Sequence, residues 1–265
     1  MSDALRAGTT TVDISLHTAP GQIHNAASED LGALSLLATG RSNFAGSGEG
    51  RKSNVRKGLN VALNNLIVGT GEEFSINKVL KRVPMSQWAM ALGIFNGGDL
   101  RPIPGGGLCQ VATTLYRGVL HAGLPVTERS NHSLFVHYYE AYGVGIDATI
   151  YPASSPDLRF QNDTGHPLLI QSYTEEDEAY VNIYGTPDGR HVSLHGPYFA
   201  KNAPASLQVN GRALKENEIA WQQQVQYADG HEDATTILSH YKSIPSNVVE
   251  KYLHAAAGEE TQPAN

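Results

Sequence analysis

Residues 102–123 read PIPGGGLCQVATTLYRGVLHAG, and the reading of this stretch decides the fold. Leu108, Val111, Ala112, Leu115, Val119 and Leu120 recur at the spacing of one helix face. Gly123 stands at the natural stop and Pro125 just beyond it. Gly105, Gly106 and Gly107 are poor helix formers, so the helix is expected to begin beside Cys109, the only cysteine in the chain.

Downstream of Pro125 the apolar period changes from helical to alternating. SLFVHYYEAYG and GIDATIY read as strands. HPLLIQSYTEEDEAYVNIYG reads as a hairpin with an acidic turn at Glu175, Glu176 and Asp177. HVSLHG reads as another strand, and AWQQQVQYADGHEDATTILSHYK as a hairpin turning at Asp229-Gly230. Upstream, Val55, Leu59, Leu63, Leu66 and Ile67 predict a helix capped by Ser53 and ended by Gly69. GEEFSINKVL reads as a turn and a strand. SQWAMALGIFNGGDL is an apolar stretch ending at Asn96-Gly97-Gly98. DLGALSLLATG fits a short helix or a buried strand, SNFAGSGEGRKS a loop, and TTTVDISLHT a strand. The expected class is α+β, with two or three helices packed on a mostly antiparallel sheet or partly closed barrel and a β-rich C-terminal half.

The composition excludes several function classes. With 40% apolar and 17% charged residues, the 265-residue chain buries a core as one large or two small domains. A formal net charge of -7 argues against nucleic acid and anionic membranes as partners. No apolar run is long enough to span a bilayer. A single cysteine forbids an internal disulfide.

That cysteine is placed for chemistry. The free N–H groups and partial positive charge of a helix start favour a thiolate, and a thiolate is a nucleophile. The N–H groups of Gly106 and Gly107, with that of Cys109 or Gln110, suit an oxyanion hole. The plainer reading, a small buried hydrophobe, stands beside this one. A glycine-rich phosphate loop is disfavoured because neither Gly-Lys-Ser/Thr nor GxGxxG occurs. A thiolate calls for a base. Of eleven histidines, ERSNHSLFVHYY offers His132 and His137, which take opposite faces of the expected strand. His132, at the strand end, is the candidate base. Asp147 interrupts an apolar strand; facing inward, it needs a partner such as His132 or Arg129. No metal-ligand spacing and no paired carboxylates are found, so neither a metal nor a cofactor is expected.

Four ordered blocks resemble the VanW family: RKSNVRKGLNVALNNLIVGTGEEFSIN, FNGGDLRPIPGGGLCQVATTLYRGVLHAGL, ERSNHSLFVHYYEAYGVGIDATIY and DLRFQNDTGHPLLIQ. Thr70 departs from the usual proline, and KRVPMSQWAMALG is a loose match. The resemblance divides the chain into an N-terminal extension (1–50), a catalytic core (51–192), a C-terminal β extension (193–253) and a tail (254–265). It implies a peptidoglycan L,D-transpeptidase that forms 3→3 cross-links through a cysteine acyl-enzyme, with stem peptides as partners. It places Cys109 as nucleophile and His132 as the matching histidine. Asp147 and Arg129 fall on further motif positions. Arg129 or Arg101 is a candidate for a stem-peptide carboxylate, and Ser133 and Tyr138 are further substrate-binding candidates. An L,D-carboxypeptidase on the same substrate and a non-enzymatic wall-binding module are the rivals. The implied location is extracytoplasmic. The N-terminus has no basic-then-apolar leader, so a signal or anchor is expected outside this chain.

Overall fold

The computed structural model describes residues 31–95 and 99–256. TTTVDISLHT, Asn96-Gly97-Gly98 and the last nine residues lie outside these. Among the described residues all strand pairing is antiparallel. The main sheet joins β1 (Ser35–Asn43), β9 (Glu178–Gly185), β8 (Leu168–Glu175) and β2 (Leu66–Val68), in that order. A second sheet orders β10 (His191–Tyr198), β11 (Glu218–Gln226) and β12 (Glu232–His240). A small sheet orders β3 (Glu73–Ser75), β7 (Arg159–Gln161) and β6 (Val126–Glu128), while β4 (Met90–Phe95) and β5 (Asp99–Pro104) form a hairpin. The helices are α1 (Glu49–Lys57), α2 (Ile76–Leu80), α3 (Leu108–His121) and α4 (Ser246–Ala256). The class is α+β as expected.

Helix α3 is the centre of the core. Val111, Ala112, Leu115 and Val119 are fully buried and belong to one cluster with Val181 and Ile183 of β9. Against β1 the approach is closer still. A Cβ on Gly40 would stand 2.0 Å from the Thr114 carbonyl oxygen, so only glycine admits this contact. Residues 35–50, expected in a loose extension, therefore supply a strand of the main sheet and the start of α1.

Several local expectations are corrected. The first helix starts at Glu49 after Gly48, not at Ser53, which is exposed within it. It widens into a π-type stretch, Gly58–Leu63, where Ser172 Oγ donates to the Leu59 carbonyl. Val55, Leu59 and Leu63 are buried as predicted, but Leu66 and Ile67 belong to β2, because Asn65 at φ 56° reverses the chain before them. In GEEFSINKVL the strand stops at Ser75, whose side chain accepts the Lys78 N–H and caps α2. DLGALSLLATG resolves to β1, and the hairpins at residues 175–178 and 226–232 form as read.

SLFVHYYEAYG and GIDATIY join none of these sheets as strands. The first is bent, with a 3-10 turn at His137–Tyr139 and left-handed backbone at Tyr142 and Gly143. The carbonyls that a strand would offer to a neighbour go to one side chain instead. Arg117, buried on α3, donates to Tyr139, Ala141, Gly143 and Ile146, and also to Arg41 of β1. Residues 146–150 are docked along α3 rather than within a sheet. Ile150 N and O contact Cys109 Sγ, Ala148 N and O contact Thr113 Oγ1, and Ile146 O accepts from Arg117 Nε. Four helical residues rise about 6 Å and two extended residues about 6.6 Å. Positions 109, 113 and 117 therefore match 150, 148 and 146, with the two segments antiparallel. Only Ser130↔Thr149 bridges the far side of the segment.

Candidate functional site

The docked segment places Asp147 beside His132. Asp147 is 1% exposed and His132 6% exposed. Asp147 Oδ2 accepts the His132 backbone N–H at 2.8 Å and faces His132 Nδ1 at 2.5 Å. Asp147 Oδ1 accepts the Tyr241 hydroxyl and lies 3.6 Å from Arg129 Nη2. The inward-facing alternative for Asp147 is realised with both named partners. His132 points inward although the expected strand is absent, because Asp147 holds its backbone and its ring. His137 is exposed and faces Glu140.

Cys109 is the second residue of α3, partly exposed at the rim of the core. Its sulfur takes direct contacts from Ile150 N at 3.5 Å, Ile150 O at 3.6 Å and Thr149 Oγ1 at 3.7 Å. His132 acts on the same sulfur through a side-chain hydrogen bond and as a charge. Burial alone would raise the thiol's pKa. The imidazole, the Ile150 N–H and Thr149 outweigh it, so the pKa falls below its usual value. Burial would lower that of His132, but Asp147 and Cys109 together raise it to about 10. Burial opposes ionisation of Asp147 as well, and His132, Arg129 and Tyr241 overcome it and hold the carboxyl below its usual range. The three groups therefore favour a thiolate, an imidazolium and a carboxylate in series.

The glycine turn is oriented for access. Gly107 has φ 103° and precedes the helix, and the stem of Arg51 fills the space a side chain there would need. Gly106 donates to Ile103 O, its carbonyl accepts from Asn54, and Gln110 N–H donates to Gly107 O. Among the described residues no backbone acceptor takes the N–H of Gly107 or Cys109. The open donors are therefore these two, rather than those of Gly106 or Gln110. The Gln110 side chain is buried and holds Ser42 Oγ and Asn43 O of β1.

The candidate substrate residues separate. The Arg129 guanidinium is committed to the carbonyls of Asp147, Gly145 and Leu238 and to Ser239 Oγ, so it braces the site and is not offered to a ligand. Arg101 is exposed on β5. The Ser133 carbonyl accepts the Lys242 N–H. Tyr138 is 38% exposed, with Arg51 Cζ 4.3 Å from its ring centroid. Sequence reading missed Thr149, Tyr139, Tyr241 and Arg51. Tyr139 is buried with its ring 5.2 Å from that of His132, and it also hydrogen-bonds Arg51. The spacing of Asp147 and Thr149 was a usable signal for Thr149. Tyr241 and Arg51 arrive from distant segments with none. The hollow of about 290 Å³ bounded by His191, Ser193, Gln224, Gln226 and Glu232 shares no residue with this site.

The family model described as VanW like protein matches residues 50–184, half of the chain. The chain belongs to the VanW family. The VanW segment carries Arg51, Cys109, His132 and Asp147, whereas Tyr241 and Ser239 lie beyond it. Over 143 residues the chain is 32% identical to the uncharacterized protein YoaR of Bacillus subtilis, covering 54% of this chain and 46% of YoaR. Over 125 residues it is 32% identical to the Vancomycin B-type resistance protein VanW of Enterococcus faecalis, covering 46% of this chain and 45% of that protein. The matched stretches span just under half the length of these relatives. No solved structure matches the chain. Among the described residues no helix is long and apolar enough to cross a membrane.

Proposed function

We propose that this VanW protein is a cysteine acyltransferase of cell-wall peptides, an L,D-transpeptidase acting outside the cytoplasm. The observation that carries this reading is the Cys109–His132–Asp147 series at the start of α3, with the thiol pKa lowered and the imidazole pKa raised. The E. faecalis relative, named for vancomycin resistance, supports a role at the cell wall.

In this reading the Cys109 thiolate attacks the carbonyl carbon of the third stem-peptide residue. The developing oxyanion is met by the N–H groups of Gly107 and Cys109. The C–N bond to the terminal D-alanine breaks, and His132 gives its proton to the leaving amine, which departs with a free amino group. The thioester then meets the side-chain amine of a second stem. That amine forms the new amide bond, its proton passes to His132, and the thiolate leaves. Asp147 keeps Nδ1 occupied, so Nε2 is the nitrogen that exchanges protons.

Incubation with tetrapeptide muropeptides tests the proposal. Cross-linked dimers lacking one D-alanine, detected by mass spectrometry, are expected. Tripeptides alone would identify an L,D-carboxypeptidase, and unchanged substrate would leave the wall-binding module. Cys109→Ala is expected to lower turnover at least about a thousandfold while leaving the melting temperature nearly unchanged, because the sulfur is at the rim of the core.

A further inference from the structure

Arg51 reaches the glycine turn that precedes Cys109. It is the third residue of α1, on the face where Asn54, one turn later, bonds the Gly106 carbonyl. Its stem packs on Gly107 and its guanidinium lies over the ring of exposed Tyr138. One guanidinium nitrogen, Nη1, donates to Ser47 Oγ at 2.7 Å, and Tyr139 is a second partner. Several other cations have carboxylates: Arg56 and Lys52 share Asp177, Arg190 has Asp188 and Asp163, and Arg212 has Glu218. Among the described residues no ion pair joins Arg51 to a carboxylate, and its Nε lies 3.5 Å from where a Gly107 Cβ would stand. A half-buried guanidinium with spare donors is suited to a bidentate carboxylate.

We propose that Arg51 binds the free α-carboxylate of the residue released by acyl transfer, so that the donor must be a peptide ending one residue beyond the bond cleaved. This deepens the acyltransfer reading and rests on it. One extended residue spans about 3.5 Å. With the scissile carbonyl at Cys109, that length is the reach needed from the thiol to the side chain of Arg51, whose stem packs on Gly107 two residues before the cysteine. A donor continuing past that residue, or ending in an amide, leaves Arg51 without its anion. The site is thereby specific for a chain end rather than for an internal bond.

The test uses the full chain and two alkylating reagents that differ only in charge, iodoacetate and iodoacetamide, with Cys109 labelling followed by intact mass. In Arg51→Gln the iodoacetate-to-iodoacetamide rate ratio is expected to fall about tenfold from wild type at low ionic strength, equivalent to about 1.4 kcal/mol. Arg51→Lys, which keeps the charge, is expected to retain most of the ratio. In a second arm on wild-type protein, N-acetyl-D-alanine is expected to slow iodoacetamide labelling and N-acetyl-D-alaninamide not to. An unchanged ratio in folded Arg51→Gln overturns the assignment of Arg51 while leaving acyl transfer standing. Should that variant not fold, equal protection by the acid and the amide overturns it. A Cys109 inert to both reagents sinks the acyltransfer reading and this one together.

Discussion

Asp147 governs the acid–base behaviour of the site because it is the anion through which the buried imidazole stays charged. His132 has its pKa raised to about 10 against the pull of burial, and Asp147 is the first of the groups that raise it. The thiolate in turn depends on that imidazolium. Thiolate and imidazolium therefore coexist above the lowered thiol value and below about 10. The rate of Cys109 acylation is expected to trace a bell, its acid limb set by the thiol and its alkaline limb by His132. Asp147→Asn keeps an acceptor for Nδ1 but removes the charge. Its alkaline limb is expected to move down, with a loss of on the order of 10³-fold at neutral pH. Stopped-flow acylation across pH checks both; an unmoved alkaline limb would show that another group sets it.

Helix α3 works as a ruler. Cys109, Thr113 and Arg117 recur every fourth residue and meet alternate residues of the segment 146–150. The near match of helix rise and extended rise keeps three contacts in register. Arg117 extends this hold to the loop carrying Tyr139, through bonds to the carbonyls of Tyr139, Ala141 and Gly143, and to Arg41 of β1. Arg117→Leu would bury those carbonyls without donors. It is expected to cost about 3–5 kcal/mol in urea denaturation and to uncouple His132 from Asp147. Arg117→Lys is expected to rescue little, because three donors cannot replace a planar fork of five. Wild-type stability in either variant would mean that the loop holds itself.

At the level of the whole molecule, the C-terminal sheet completes a site whose chemistry lies elsewhere. Tyr241, just past β12, donates to Asp147, and Arg129 ties Asp147 to Leu238 and Ser239 of β12. Tyr241 is also part of a second core cluster with Val144, Phe199, Ile219 and Val248 of α4. The family-matched segment thus leans on residues outside it. Tyr241→Phe frees one oxygen of Asp147 and leaves more negative charge to act on the imidazolium. The alkaline limb is expected to rise, opposite to Asp147→Asn, with a stability loss of about 1 kcal/mol. A pH profile and a urea melt on the same sample separate the two effects.

The sequence by itself determined the elements whose signal is local. The face of α3, its glycine start, the two long hairpins and the placing of Cys109 at a helix start were all legible, because a single periodicity or turn specifies each. Asp147 was legible only as a condition, an acid that needed a partner if it faced inward. Tertiary structure decided the rest. The alternation in 133–143 and 145–151 resembles strands, yet Arg117 and the polar face of α3 take the backbone groups that strand pairing would use. Arg129 carries the charge expected of a ligand-binding residue, but carbonyls from two segments consume its donors. Arg51 and Tyr241 reach the site only when α1 and the C-terminal sheet dock. A local pattern records which groups a segment offers, whereas hydrogen-bond partners distant in sequence decide where those groups are spent.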